Sequence, residues 1–458
     1  MFSFPKVLII TPLTLFFGAC VNQSSLPSSQ LKRALPLPSR YDATPYPSPE
    51  LRGSLLELFG GEGLRAITDR AVANNPDLAG AAARLDEEGF NLKRTHGELF
   101  PRVDGTVSGN RSRQAGSFSE PLSLIGVGLD ASWELDVWGR IRNNVSASAA
   151  DQAAAAADYE SAKQSLVAQT MQAYFNVVAT NKLLDLSERQ ARSLAKTVAL
   201  TERRFERGTS SLSELELARS DATNASADIQ QRLEDRDSAG RNLKVILGDY
   251  PDTKLAGFDT WPALSRSVPT GVPSALLRQR PDIDAAYQRL RAADARVKVA
   301  HADLFPSFSL TAGGGRTSST LIGLTKPSAA TWSVGANLVA PIFNAGSLRA
   351  ELGAANSRAV QAYQSYRGVA LVAFQEVENA LSAETRLHRE QQEREQALRA
   401  AQVAESRARR DFEAGIADLL SLLEIQLRVF QTEEQAITVR ANRYSNRVAL
   451  ALALGKGI

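Results

Sequence analysis

The sequence predicts an α+β membrane protein in which long coiled-coil helices join a transmembrane β-barrel that several copies must complete. Three observations carry this. Residues 140–207 contain no glycine or proline, and Gly139 and Gly208 close the run at a spacing of 69 positions. The design returns between Gly346 and Gly415, again 69 apart, although Gly353 and Gly368 weaken its first third. Ahead of each run lie two segments in which apolar and polar residues alternate, the period of a strand with one face in lipid and one in water.

At ~1.5 Å rise per residue each run makes a rod of roughly 100 Å, several times the ~30 Å hydrocarbon core of a bilayer. Asp151, Glu160, Lys163, Lys182, Glu188 and Arg192 stud the first rod, so it projects through water. Val177, Leu184, Ala191, Val198 and Phe205 recur every seventh residue, with Thr180, Ser187, Leu194 and Thr201 three positions on. That is a coiled-coil seam, and it calls for a partner helix.

The chain has 458 residues, 43% of them hydrophobic, and a net charge of +3. Acidic and basic residues mix along the helices, leaving no basic stripe for nucleic acid. Cys20 is the only cysteine, so an intrachain disulfide and a cysteine-based zinc site are both excluded.

In chain order, residues 1–19 read as a secretory signal, with Lys6 ahead of a short apolar run. The run ends Phe17-Gly18-Ala19-Cys20, which resembles a bacterial lipobox and makes Cys20 the candidate for lipidation. Val21 follows where an inner-membrane retention signal would have aspartate, which favours the outer membrane. Residues 20–62 form a lipidated N-terminal tether, whose stretch 21–50 is rich in serine and proline and favours an extended chain over packed structure.

Two structural repeats follow, 63–248 and 272–458, joined by a connector at 249–271 that holds Pro251, Trp261, Pro262 and Pro269. The helix carrying Asn75-Pro76-Asp77-Leu78 ends at Phe100-Pro101, and the one carrying Arg280-Pro281-Asp282-Ile283 ends at Phe305-Pro306, a constant offset of 205. A β-hairpin comes next, at about 101–138 and about 306–343. Val127, Leu129, Ala131 and Trp133 alternate with Gly128, Asp130 and Ser132, and Trp332, Val334 and Ala336 alternate with Ser333 and Gly335. The long helices span 139–207 and 346–414, and returning helices span 210–248 and 417–455, each ended by glycine.

Four strands cannot close around a pore, and an open sheet edge in lipid leaves backbone groups unsatisfied at several kcal/mol each. Other copies must supply the missing strands, and three copies give twelve, an even number within the range of such barrels.

His96 and His301 occupy equivalent places, five residues before the proline of each Phe-Pro. They read as histidines near helix C-termini, where partial positive charge is favoured, and His388 reads as part of a solvated face. No nucleophile elbow, phosphate loop or metal-ligand spacing appears. The expectation is a protein that is not an enzyme and uses no cofactor.

Together, the signal and lipobox, the paired Asn-Pro-Asp-Leu and Arg-Pro-Asp-Ile helices ending in Phe-Pro, the two hairpins and the two Phe-x-x-Gly tips resemble the TolC-like outer membrane factors, most of all the NodT-type lipoproteins of RND efflux pumps. The resemblance covers essentially the whole mature chain. It implies a homotrimeric channel-tunnel with a twelve-stranded barrel in the outer membrane and a helical tunnel across the periplasm. It also implies docking of the Gly208 and Gly415 tips onto a periplasmic adaptor, or membrane fusion protein, which links to an inner-membrane RND transporter. The expected function is a passive exit duct for small molecules. The alternatives are the exit duct of a type I protein secretion system and a non-conducting coiled-coil lipoprotein. Six tips of a trimer would converge at the periplasmic mouth, and two carboxylates near the second tip are gate candidates, Glu424 and Asp418. They lie about 120° apart around their helix. The resemblance favours Glu424, whose counterpart in the first repeat is Leu217.

Overall fold

The computed structural model describes residues 41–43, 59, 62–113, 121–253, 260–262, 264, 277 and 279–455. The signal, Cys20 and most of the tether and connector lie outside these residues. The first half contains α1 (Glu62–Asn74), α2 (Pro76–Gly97), β1 (Arg102–Ser112), β2 (Leu122–Leu135), α3 (Arg140–Glu206) and α4 (Leu212–Ile246). The second contains α5 (Pro281–Ala302), β3 (Ser307–Ser318), β4 (Ala330–Val339), α6 (Ser347–Glu413) and α7 (Leu419–Ala453). Two 3₁₀ turns, Ile322–Thr325 and Pro327–Ala329, link β3 to β4.

The rods α3 and α6 are single helices of 67 residues each, about 100 Å long. Neither Gly353 nor Gly368 interrupts α6, because a lone glycine costs a helix interior only ~1 kcal/mol. The seam on α3 buries Val177, Leu184, Ser187, Leu194 and Thr201, whereas Phe205 at the tip stays exposed.

The two hairpins form one antiparallel sheet in the order β1-β2-β3-β4, so β1 and β4 are its open edges. The helices are layered the same way. Toward the sheet the neighbours run α2, α3, α5, α6, and toward the tips they run α4, α3, α7, α6. Shorter helices placed end to end thus cover α3, while α6 stands at an edge throughout. Among the described residues no helix is long and apolar enough to cross a membrane; the lipid-compatible surface is the sheet, where Val103, Val107, Leu129 and Val334 are exposed.

The internal repeat extends to single hydrogen bonds. Asn75 caps α2 by accepting from the Asp77 and Leu78 N–H groups, and its Nδ2 donates to Ile246 O at 3.0 Å. At the equivalent place Arg280 precedes α5 and donates to Ala453 O at 3.1 Å. Each half therefore ties the start of a short helix to the end of its returning helix.

Midway along the rods Phe59, Met171, Phe175, Tyr444 and Val448 are buried together in one core cluster. Trp261 of the connector stacks on Tyr444 with centroids 4.8 Å apart, and the Tyr444 hydroxyl donates to Pro262 O. Nearby Tyr41 is buried among Ile283, Val377 and Leu450. Burial and the neighbouring Glu378 carboxylate push its phenol up to about 12. The expectation of an extended, unpacked tether fails at these points, since Tyr41 and Phe59 bury aromatic rings in the core. Glu378 accepts the N–H groups of Asp42 and Ala43, which clamps this part of the tether onto the second repeat.

Candidate functional site

Polar and charged side chains gather at the two ends of the rods, the helical tips and the junction with the sheet. Both tips turn on a glycine in the left-handed region, Gly208 at φ +73° and Gly415 at φ +75°. The Gly208 N–H donates to Phe205 O at 2.8 Å and the Thr209 N–H to Arg204 O at 2.8 Å. The second tip repeats this, from Gly415 to Phe412 O at 3.0 Å and from Ile416 to Asp411 O at 2.8 Å. This is the Schellman pattern, which satisfies the last carbonyls of a helix and requires positive φ at its turning residue.

The tips differ in their side chains. Phe412 is buried beneath the Arg204 guanidinium, which lies 4.6 Å from the ring centroid, while its counterpart Phe205 is exposed. After the first turn Ser211 and Glu214 form a reciprocal capping box.

Asp418 occupies the equivalent capping place. Its carboxylate accepts from the Ser421 N–H at 2.7 Å, and that backbone hydrogen bond is the first cause holding its pKa below the usual carboxylate range. The structure therefore gives Asp418 a role in starting α7. The spacing Asp-Leu-Leu-Ser ahead of a helix already carried that signal.

Glu424 is exposed, about one and two-thirds turns further along α7. It lines a groove of about 320 Å³ formed by α3, α4 and α7, together with Gln190, Leu217, Asp221, Asp228 and Leu427. Leu217, its counterpart in the repeat, thus faces the same space. Sequence reasoning missed Asp221 and Asp228, although helical periodicity from Leu217 places both on that face.

At the junction, Asp136 closes the start of α3. Its two oxygens accept from the Ile141 and Arg142 N–H groups, each at 2.9 Å. Burial pushes this carboxyl up, but the backbone donors and the Arg142 guanidinium outweigh it and hold the pKa low. Arg140 makes a two-pronged bond to Glu134, at 3.0 and 2.8 Å. Beside it burial raises the pKa of Asp303, opposed by Arg140 and assisted by Glu134 and Glu351. Trp138 locks this corner, stacking on Phe305 and donating to Pro306 O at 2.7 Å. His96 and His301 pack on the rings of Phe100 and Phe305, at centroid distances of 5.6 and 5.4 Å. Among the described residues no group of three or more metal-ligating side chains converges.

The two regions are the two ends of one architecture: an open sheet with one apolar face, and long rods turned at two tips. The description "outer membrane efflux protein" matches residues 67–249 and 272–456, most of the chain and both repeats. The chain belongs to the outer membrane efflux protein family. It is 30% identical over 397 residues to the cation efflux system protein CusC of Escherichia coli, covering 86% of each chain. It is 31% identical over 410 residues to the toluene efflux pump outer membrane protein TtgI of Pseudomonas putida, covering 88% of this chain and 87% of that one. Among solved structures, the outer-membrane channel OprN superposes with a TM-score of 0.86 at 28% identity, covering 92% of this chain and 97% of that one. The CusC structure gives 0.85 at 29% identity, with 93% and 98% covered. The fold is that of the TolC-like channels, and the protein is an outer membrane efflux component. Its family is one of ducts, not of enzymes.

Proposed function

We propose that three copies of the chain close into a homotrimeric channel-tunnel, anchored by lipid on Cys20 in the outer membrane and reaching about 100 Å into the periplasm. The observation that carries this is the pair of open edges repeated in every layer. β1 and β4 flank the sheet, α2 and α6 flank the upper helices, and α4 and α6 flank the lower ones. Edges drawn from opposite halves of the chain make a head-to-tail contact, which generates a ring when the rotation closes. Three copies give twelve strands, and lipid leaves no stable alternative to closure.

In this reading the Gly208 and Gly415 tips dock a periplasmic adaptor, or membrane fusion protein. The adaptor connects to an inner-membrane RND transporter that supplies the energy, and Glu424 forms a ring of three carboxylates at the mouth. The cargo is a small molecule chosen by the transporter. The relatives support this division of labour, since one is named for cations and another for toluene although the duct is shared. The test is the mass of the detergent-extracted particle together with conductance in a planar bilayer. A particle of three protomers that conducts ions is expected, and a stable monomer that conducts would overturn the reading.

A further inference from the structure

The outward face of the sheet carries a charge pattern that drainage through the duct does not require. Strand register separates the two faces. Val103, Val107, Val127, Leu129, Val334 and Leu338 lie on the apolar one, and Arg102, Asp104, Asp130 and Glu134 lie on the other. Within the four strands the apolar face holds just two charged residues, Arg111 and Arg316.

Both are arginines, both are exposed, and both stand at the end of the sheet farthest from the rods. They are also repeat equivalents, 205 positions apart. Arg111 sits opposite Ser123 in the first hairpin, and Arg316 sits opposite Ala330 in the second, the same place in each register. Lipid-facing charge costs most at the bilayer midplane and least at its interfaces, so this row marks the outer boundary of the apolar band.

The surroundings agree. Trp332, 84% exposed, lies one cross-strand row closer to the rods, opposite Gly314, and tryptophan collects at bilayer interfaces. The Arg316 guanidinium donates to Leu324 O at 2.9 Å. That bond holds it beside a turn whose Leu321 and Ile322 are 73% and 77% exposed. Apolar surface directly beside a fixed guanidinium suits a molecule with acyl chains and an anionic head.

We propose that Arg111 and Arg316 bind phosphorylated headgroups of lipids in the external leaflet. Guanidinium matches phosphate with paired hydrogen bonds, which an ammonium does not. A trimer presents six such arginines in one ring, and the inference rests on the barrel reading above.

Native mass spectrometry of the purified full chain tests both at once. The particle is incubated with a bis-phosphorylated glycolipid, with its dephosphorylated form, and with inorganic phosphate. Wild type is expected to retain up to six phosphorylated lipids per trimer and few of the dephosphorylated form. R111Q/R316Q is expected to cut retention at least fivefold. R111K/R316K, keeping charge but losing the paired geometry, should fall between, and R102Q, on the opposite face, should match wild type. Equal retention by wild type and R111Q/R316Q in intact trimers overturns the inference and leaves the barrel standing. So does equal retention of both lipid forms, or displacement of the lipid by millimolar inorganic phosphate. A particle that is never trimeric overturns the barrel reading instead.

Discussion

A glycine with positive φ does different work at the tips and at the ends of the returning helices. A Cβ on Gly208 would meet nothing within 4 Å, so its only constraint is φ +73°. A Cβ on Gly248, at φ +72°, would lie 2.4 Å from the Asn74 carbonyl oxygen. Gly208→Ala should therefore cost about 1 kcal/mol in backbone strain. Gly248→Ala adds a backbone clash of about 1–3 kcal/mol more. Thermal unfolding of the two variants should place Gly248→Ala well below Gly208→Ala, and equal melting would contradict the close packing seen at Asn74. The gate candidates separate in the same way. Asp418→Ala should lower the melting temperature while Asp418→Asn, still a helix cap, should not. Because the Asp418 pKa is depressed in the fold, its stabilisation is present above the ordinary carboxylate range and disappears as pH falls through the lowered value. Glu424 caps nothing. Glu424→Gln should leave melting unchanged and weaken cation selectivity in single-channel recordings, with unaltered selectivity removing it from the conducting path.

Between elements, the α6–α7 pair is pinned by charge in its interior. Glu384 on α6 accepts from Arg447 at 2.9 Å and from Arg443 at 3.2 Å, and these arginine side chains are 6% and 12% exposed. Removing one partner of such a group leaves buried charge uncompensated at about 3–5 kcal/mol. Glu384→Gln should lower stability by that amount in denaturant titration, while Glu351→Gln on the exposed part of α6 should change it little. Sequence could announce the elements but not this pairing. Rods and hairpins were legible because a run without glycine or proline and a strict two-residue alternation are local signals. Joining β2 to β3 depends on residues such as Leu129 and Gly314, far apart in the chain, and nothing local specifies that contact. The groove around Glu424 was half legible. Leu217 follows from the repeat, whereas Asp221 and Asp228 needed the helical period carried along α4. Asp418 was read for its charge, although its distance from Ser421 already marked a cap.

For the whole molecule, the internal repeat fixes more than the number of copies: it specifies how neighbouring copies should pair. Hairpin one leads to hairpin two by the β2–β3 register, in which Asp130 lies opposite Gly313. If a ring of three protomers repeats that step six times, β4 must meet β1 of the next copy in the same register. Asp130 corresponds to Asn337, 207 positions on, and Gly313 to Ser108, 205 positions back. Asn337 should then lie opposite Ser108 of the partner subunit, on the polar face where an oxidant in water has access. Paired positions on adjacent antiparallel strands bring Cβ atoms within about 4.5–5.5 Å, close to the ~3.8 Å that a disulfide prefers. Cys20 is the only native cysteine, so the background is a single thiol that Cys20→Ala removes. In that background Ser108→Cys/Asn337→Cys should give covalent trimers on a denaturing gel after mild oxidation, collapsing to monomers on reduction. Ser108→Cys/Ser333→Cys, displaced by four residues along the strand on the same face, should cross-link far less. Trimers from the displaced pair but not from the matched one would show that the seam between copies breaks the repeat, and that the ring closes by a register of its own.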